Sequence, residues 1–165
     1  MHGAREMARL MALDVGEARI GIAVSDATGF LASPYTTLHV SRDEAQTWAA
    51  IRRLIDETGA EGLVVGLPIS LDGEIHAQAR RVQAWASRLK EQIAIPLAFW
   101  DERFSTVEAE RLLAERSQAE QGRRQRASSD RQHKQTRRRR GQQEIDALAA
   151  TVILQEYLDS KAIDV

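Results

Sequence analysis

Four acidic residues, at three places in the chain, have the residue type and the placement to do chemistry. Asp14 closes the apolar run LMALDV (10–15), Asp101 and Glu102 close IPLAFWDER (95–103), and Asp146 opens DALAA (146–150). Carboxylates drawn together without basic partners repel one another, and one of them is forced to stay protonated. A divalent cation removes that conflict, because hard cations such as Mg²⁺ take oxygen ligands and keep several waters. Two such ions about 4 Å apart suit hydrolysis at phosphorus, where they activate a water and stabilise the leaving oxygen. Each acid alone has an ordinary reading as well. Asp14 suits a turn before Gly16, Asp101 and Glu102 could pair with Arg103 or Arg19, and Asp146 near a helix start would complement the helix dipole. The combination of strand end, strand end and helix is what points to a shared site.

The second chemical feature is charge. The chain has 23 Lys and Arg against 24 Asp and Glu, a net charge of −1. That balance hides an asymmetry. Residues 117–143 hold nine basic residues, Arg123, Arg124, Arg126, Arg131, Lys134, Arg137, Arg138, Arg139 and Arg140, against Glu120 and Asp130. The segment therefore carries about +7 and the remainder about −8. A basic element on an acidic body suits contact with a polyanion. Its few large apolar residues predict a loop that buries no core.

Composition narrows the setting. The chain has no cysteine, which excludes disulfides and thiolate metal sites and fits a reducing compartment. The N-terminus lacks the apolar centre of a secretion signal. No apolar run approaches the roughly 20 residues that span a bilayer. A soluble, cytoplasmic protein with no membrane partner is expected. The length of 165 residues suits one compact domain, 1–165, with a basic flexible loop at about 117–143.

The elements that must position the acids follow from periodicity. LMALDV reads as a buried strand, IGIAVSD (20–26) as its hairpin partner, and Phe30 to Val40 as a third strand. Pro34 places that third strand at an edge or makes it a strand start. Ser41 and Glu44 have capping-box spacing before a helix marked by Ala45, Trp48, Ile51 and Ile55 and stopped by Gly59. EGLVVGLP (61–68) has the continuous apolar character of a central strand. LDG (71–73) is a turn, and Ile75, Ala79, Val82, Ala86 and Leu89 mark a second helix. A fifth strand leads to Asp101 and Glu102. Ser105 with Glu108 then opens a short helix from Val107 to about Arg116. The last helix is expected from about Gln143 to Tyr157, with Ile145, Leu148, Val152 and Leu158 on one side and Ala149 and Ala150 allowing close approach to the sheet. This order predicts an α/β fold of ribonuclease H-like topology: a five-stranded mixed sheet with helices on both faces. Sites in such sheets form beyond the carboxyl ends of strands.

The stretches LDVGEARIGIAVSD (13–26), VVGLPISLDG (64–73), QARRVQAWASRL (78–89), DERFSTVEAERLL (101–113) and IDALAATVILQEYLD (145–159) resemble the YqgF family, Holliday-junction-resolvase-like proteins also assigned to pre-16S ribosomal RNA processing. The resemblance implies a divalent-metal nuclease with Mg²⁺ or Mn²⁺, as two ions. By position it makes Asp14, Glu102 and Asp146 the metal-binding catalytic acids, and it alone selects Glu102 over Asp101. It also implies nucleic-acid contacts from Arg19, Arg103, Ser105 and Thr106. The basic segment adds Arg123, Arg124, Arg126, Arg137, Arg138, Arg139 and Arg140 as candidate phosphate contacts. The implied partner is nucleic acid, either an rRNA precursor or branched DNA, bound by a monomer or homodimer. The implied reaction leaves a 5′-phosphate and a 3′-hydroxyl. A non-catalytic nucleic-acid-binding assembly factor is the alternative from another class. A sugar-kinase or actin-type phosphotransferase ranks last, since it needs a second domain. This chain departs from the family pattern in two places: Ser70 stands where asparagine is common, and the arginine-rich segment is longer. His76 at a helix start and His133 in the basic segment are expected to be non-catalytic, and Trp48, Trp85 and Trp100 to be core residues.

Overall fold

The computed structural model describes residues 8–68, 76–101 and 131–163, with backbone alone at 131–140, 142, 162 and 163. The strands are β1 (Leu10–Val15), β2 (Arg19–Ser25), β3 (Ala32–His39), β4 (Gly62–Leu67) and β5 (Leu97–Asp101). They form one sheet in the order β3-β2-β1-β4-β5. β1 and β2 pair antiparallel, as do β2 and β3, while β4 runs parallel to both β1 and β5. The helices are α1 (Glu44–Thr58), α2 (Ala77–Lys90) and α3 (Arg131–Ile163).

Strand alternation divides the apolar side chains between two faces. On one face Met11, Leu13, Ile20, Ile22, Leu63 and Val65 pack against Trp48, Ile51 and Leu54 of α1 and Val82, Trp85 and Leu89 of α2. The rings of Trp48 and Trp85 lie 5.3 Å apart, so both tryptophans are core residues as expected. On the other face Ala12, Ala23 and Val64 meet Ala150, Ile153, Leu154 and Leu158 of α3. Small residues on both sides of this second interface let α3 lie close to the sheet. Trp100 belongs here, donating from Nε1 to Glu156 and meeting the Tyr157 ring edge-on at 5.9 Å.

β3 is an edge strand, where Pro34 is tolerated. Pairing jumps from Ile22↔Thr36 to Ala23↔Pro34, which leaves Tyr35 as the extra residue of a bulge. Its hydroxyl donates to Glu57 of α1 at 2.8 Å. Gly59 stops α1 in the left-handed region, φ 72°, with its N–H bonded to the Ile55 carbonyl.

Three local expectations are corrected. The N-cap of α1 is Asp43, whose carboxylate accepts from the Ala45 N–H, and Ser41 bonds the Gln46 side chain instead. Asp43 sits next to the first helical residue and offers the stronger acceptor. The last helix begins at Arg131, well before Gln143, so the C-terminal part of the basic segment is helix and not loop. Asp146 thus lies in mid-helix, which removes the helix-dipole explanation for it. The buried side of α3 is Ala147, Ala150, Ile153, Leu154 and Leu158. Val152 and Leu158 are buried as expected, but Ile145 and Leu148 stay partly exposed.

Candidate active site

The chain turns from β1 to β2 beside Asp14, with the Gly16 N–H bonded to the Arg19 carbonyl at 2.8 Å. Asp14 pairs directly with Gly21 across the two strands. Directly opposed residues of an antiparallel pair share a face. Both therefore lie on the α3 face, in step with Ala12 and Ala23.

Gly21 is the geometric key to this corner. A Cβ built there would lie 1.9 Å from the carbonyl oxygen of Asp146 and 3.1 Å from the Ala147 nitrogen. Only a residue without a side chain admits the α3 backbone at that point. The missing methyl sets Asp146 over the strand beside Asp14, at the same level of the sheet. Residues 14 and 146 are brought together by backbone packing, far apart though they are in sequence.

Arg19 completes the described corner. Its Nε donates to Asp146 Oδ2 at 2.7 Å, and its side chain stays 36% exposed against 19% for Asp146. The expected nucleic-acid contact is thus also the ion-pair partner of one of the acids. Thr37 and Gln143 fix α3 one turn before Asp146, the Thr37 hydroxyl donating to the Gln143 carbonyl at 2.6 Å. The Gln143 side chain lies 3.1 Å from the His39 ring nitrogen. His39 pairs in register with Arg19 and so borders the same corner. Sequence reasoning passed over His39. Its position across from Arg19 follows from strand pairing, which no motif at His39 announces.

Asp101 ends β5 one residue after Trp100, whose side chain packs on the α3 face. Alternation puts Asp101 on the opposite face, away from Asp14. Glu102, Arg103, Ser105, Thr106, Arg123, Arg124 and Arg126 lie outside the described residues, as do Ser70, the 71–73 turn, Ile75 and the expected helix from Val107 to Arg116. Arg137, Arg138, Arg139, Arg140 and His133 belong to the N-terminal part of α3, described there by its backbone. His76 is the exposed N-cap position of α2.

The donors present are carboxylate oxygens on one face of a chain without thiols, which suits a hard cation better than a soft one. Among the described residues no three acidic, histidine or cysteine side chains gather closely enough to hold a metal. Asp14 and Asp146 supply two carboxylates whose chemistry fits a hard cation. No helix among the described residues is long and apolar enough to cross a membrane.

A family model described as RuvX, Holliday junction resolvase, matches residues 8–133. A Roseiflexus protein named "Putative pre-16S rRNA nuclease" is 42% identical over 157 residues, covering 94% of this chain and 97% of its own. A protein of the same name from Moorella thermoacetica is 40% identical over 151 residues, covering 92% and 94%. Among solved structures, Thermus thermophilus RuvC in complex with a Holliday junction substrate aligns with a TM-score of 0.50 and 12% identity, over 94% of this chain and 96% of that one. At that identity the likeness speaks to the fold, which is ribonuclease H-like. Fold, relatives and family together define a nuclease that hydrolyses phosphodiester bonds. The chain belongs to the RuvX family, the same family that the sequence resemblance indicated under the name YqgF.

Proposed function

We propose that this nuclease cuts structured RNA, with the 5′ region of the pre-16S rRNA as its substrate, using Mg²⁺ or Mn²⁺ held by Asp14, Glu102 and Asp146. The observation that carries the reading is the placement of the Asp146 backbone on Gly21, directly across from Asp14. Asp101 faces away from that corner, which supports Glu102, the acid that the family resemblance selects at the end of β5. Bound divalent cations would neutralise the phosphate and ease deprotonation of the attacking water. The protein's own part is positional. Gly21 sets the height of α3 over the sheet, and Arg19 orients the Asp146 carboxylate while adding positive charge beside it. Arg103, Ser105, Thr106 and the basic residues from Arg123 to Arg140 supply backbone phosphate contacts that carry affinity more than sequence preference.

A second reading is cleavage of four-way DNA junctions, favoured by the description of the matching family. Both substrates are tested together. Purified protein is given end-labelled precursor RNA and a four-way DNA junction, with Mg²⁺ or Mn²⁺. The expected result is faster cutting of the RNA, loss of cutting with chelator, and a fall of at least about a thousandfold for Glu102→Gln with binding retained. Undiminished cutting by Glu102→Gln removes the assignment of that acid. Faster cutting of the junction favours the second reading. Binding without cutting of either substrate by the wild-type protein favours a non-catalytic assembly factor.

A further inference from the structure

One row of residues crosses the sheet at the level of the candidate site. Asp14 of β1 pairs with Gly21 of β2, and Gly21 pairs with Thr37 of β3. Directly opposed residues of antiparallel strands share a face, so all three lie on the side covered by α3. The helix meets this row twice. The Asp146 backbone sits on Gly21, and the Gln143 carbonyl accepts from the Thr37 hydroxyl at 2.6 Å. A carbonyl oxygen has two lone pairs, so it can take Thr37 as a second donor beside its bond within the helix. The Gln143 side chain reaches the ring of His39 on the same strand, 3.1 Å away.

A matching tie holds α3 at the other end of β3. Gln155 accepts from the Ala32 N–H and donates to the Phe30 carbonyl, each at 3.0 Å. From Gln143 to Gln155 the helix rises about 18 Å. The strand covers a similar length, about 17 Å, between Thr37 and Ala32. Between the two ties the contact is apolar, and near the site it is made by small residues, Ala12 and Ala23 against Ala150. Such a surface admits a close approach but is not directional, so it resists sliding and turning of the helix only weakly. The Arg19 side chain is long and partly exposed, and its bond to Asp146 can follow the helix without placing it. Only one of the two ties lies near the acid. Gln143 precedes Asp146 by about 5 Å of rise, whereas Gln155 follows it by about 14 Å.

We propose that Thr37 is a positioning residue for Asp146. Its bond to the Gln143 carbonyl, supported by His39, fixes where α3 stops along and around its axis, and so sets the spacing of the two carboxylates for a cation. The proposal rests on the reading of Asp14 and Asp146 as metal ligands. It extends that reading to β3, a strand that carries no acid of its own.

The test compares the two ties. Thr37→Val removes the near bond at similar volume, and Gln155→Ala removes the far ones. Each protein should melt about 2–6 °C below wild type, as expected for lost hydrogen bonds. Two readouts are then taken without substrate. One is Mn²⁺ affinity, from the spectrum of unbound Mn²⁺. The other, in protein free of divalent cations, is the NMR signal of the Arg19 Nε–H, which donates to Asp146 Oδ2 at 2.7 Å. Thr37→Val should bind Mn²⁺ about tenfold or more weakly, and its Arg19 proton should exchange with water about tenfold faster. Gln155→Ala should stay within about threefold of wild type in both, and Thr37→Ser should return both to that range. His39→Ala removes only the support and should cost about threefold in each; it stands in if Thr37→Val is too unstable to assay. Equal losses in Thr37→Val and Gln155→Ala overturn the proposal. So do wild-type values for Thr37→Val or its stand-in, and a loss that Thr37→Ser fails to recover. If wild-type protein takes up no Mn²⁺, the metal reading fails by itself, and the Arg19 signal still decides whether Thr37 places Asp146.

Discussion

Gly21 sets how closely the Asp146 backbone approaches the strand pair that carries Asp14. Gly21→Ala would drive a methyl into the Asp146 carbonyl, 1.9 Å away, where the obstacle is backbone and cannot rotate aside. α3 must lift or shift, at a cost of about 1–3 kcal/mol or more. We expect a lower urea midpoint and a fall in cutting larger than the stability loss explains under conditions where the protein stays folded. A variant with wild-type cutting rate would show that the spacing between Asp14 and Asp146 is not critical. Asp14 and Asp146 were legible as candidates in the sequence because one ends an apolar run and the other opens a small-residue helix motif. The device that unites them was not. A glycine in IGIAV reads as a loose spot in a strand, and only the packing shows it as the seat of a helix. The Arg19–Asp146 ion pair was equally hidden, since it joins residues 127 apart. Their pairing was not among the alternatives that the sequence offered for either residue.

Elements were legible where their period was strong. β1 matches the apolar run residue for residue, and β2, β4 and α1 lie within one or two residues of their sequence bounds. The start of α3 was missed because a run of arginines resembles a solvated loop by composition, while arginine itself is a good helix former. The turn between β2 and β3 gives a prediction at this scale. Asp26 accepts from the Phe30 N–H at 2.9 Å and from the Thr28 hydroxyl at 2.9 Å. These bonds, Phe30 first, hold its carboxyl below the ordinary value of 3.8, with smaller help from Leu31 and Gly29 against a small opposing effect of burial. A carboxyl whose folded pKa is depressed stabilises the protein above its unfolded pKa, and that help is lost as pH falls through the folded value. Asp26→Asn should therefore be less stable than wild type at pH 7, and the gap should narrow below pH 3.8. Equal thermal midpoints for both proteins across this range would remove the turn's carboxylate as a stabilising group.

At the scale of the whole molecule, the substrate question is also one of copy number. Symmetric cutting of a four-way junction needs two active sites facing two strands, which a two-fold dimer supplies. Cutting at one RNA end needs one. We expect a solution mass near 18.4 kDa, that of one chain, at concentrations that support cutting. A mass twice that, persisting on dilution, would turn the balance toward branched DNA. The arrangement of the chain also sets when the proposed site can first assemble. Asp14 belongs to the first strand, but Asp146 belongs to the last helix. Chains fold from the N-terminus as they are made. The sheet can form while synthesis is still under way, yet Asp146 takes its place over Gly21 only when α3 is released and packs there. On the proposed site, a chain whose α3 has not yet docked lacks Asp146 beside Asp14 and is expected not to cut.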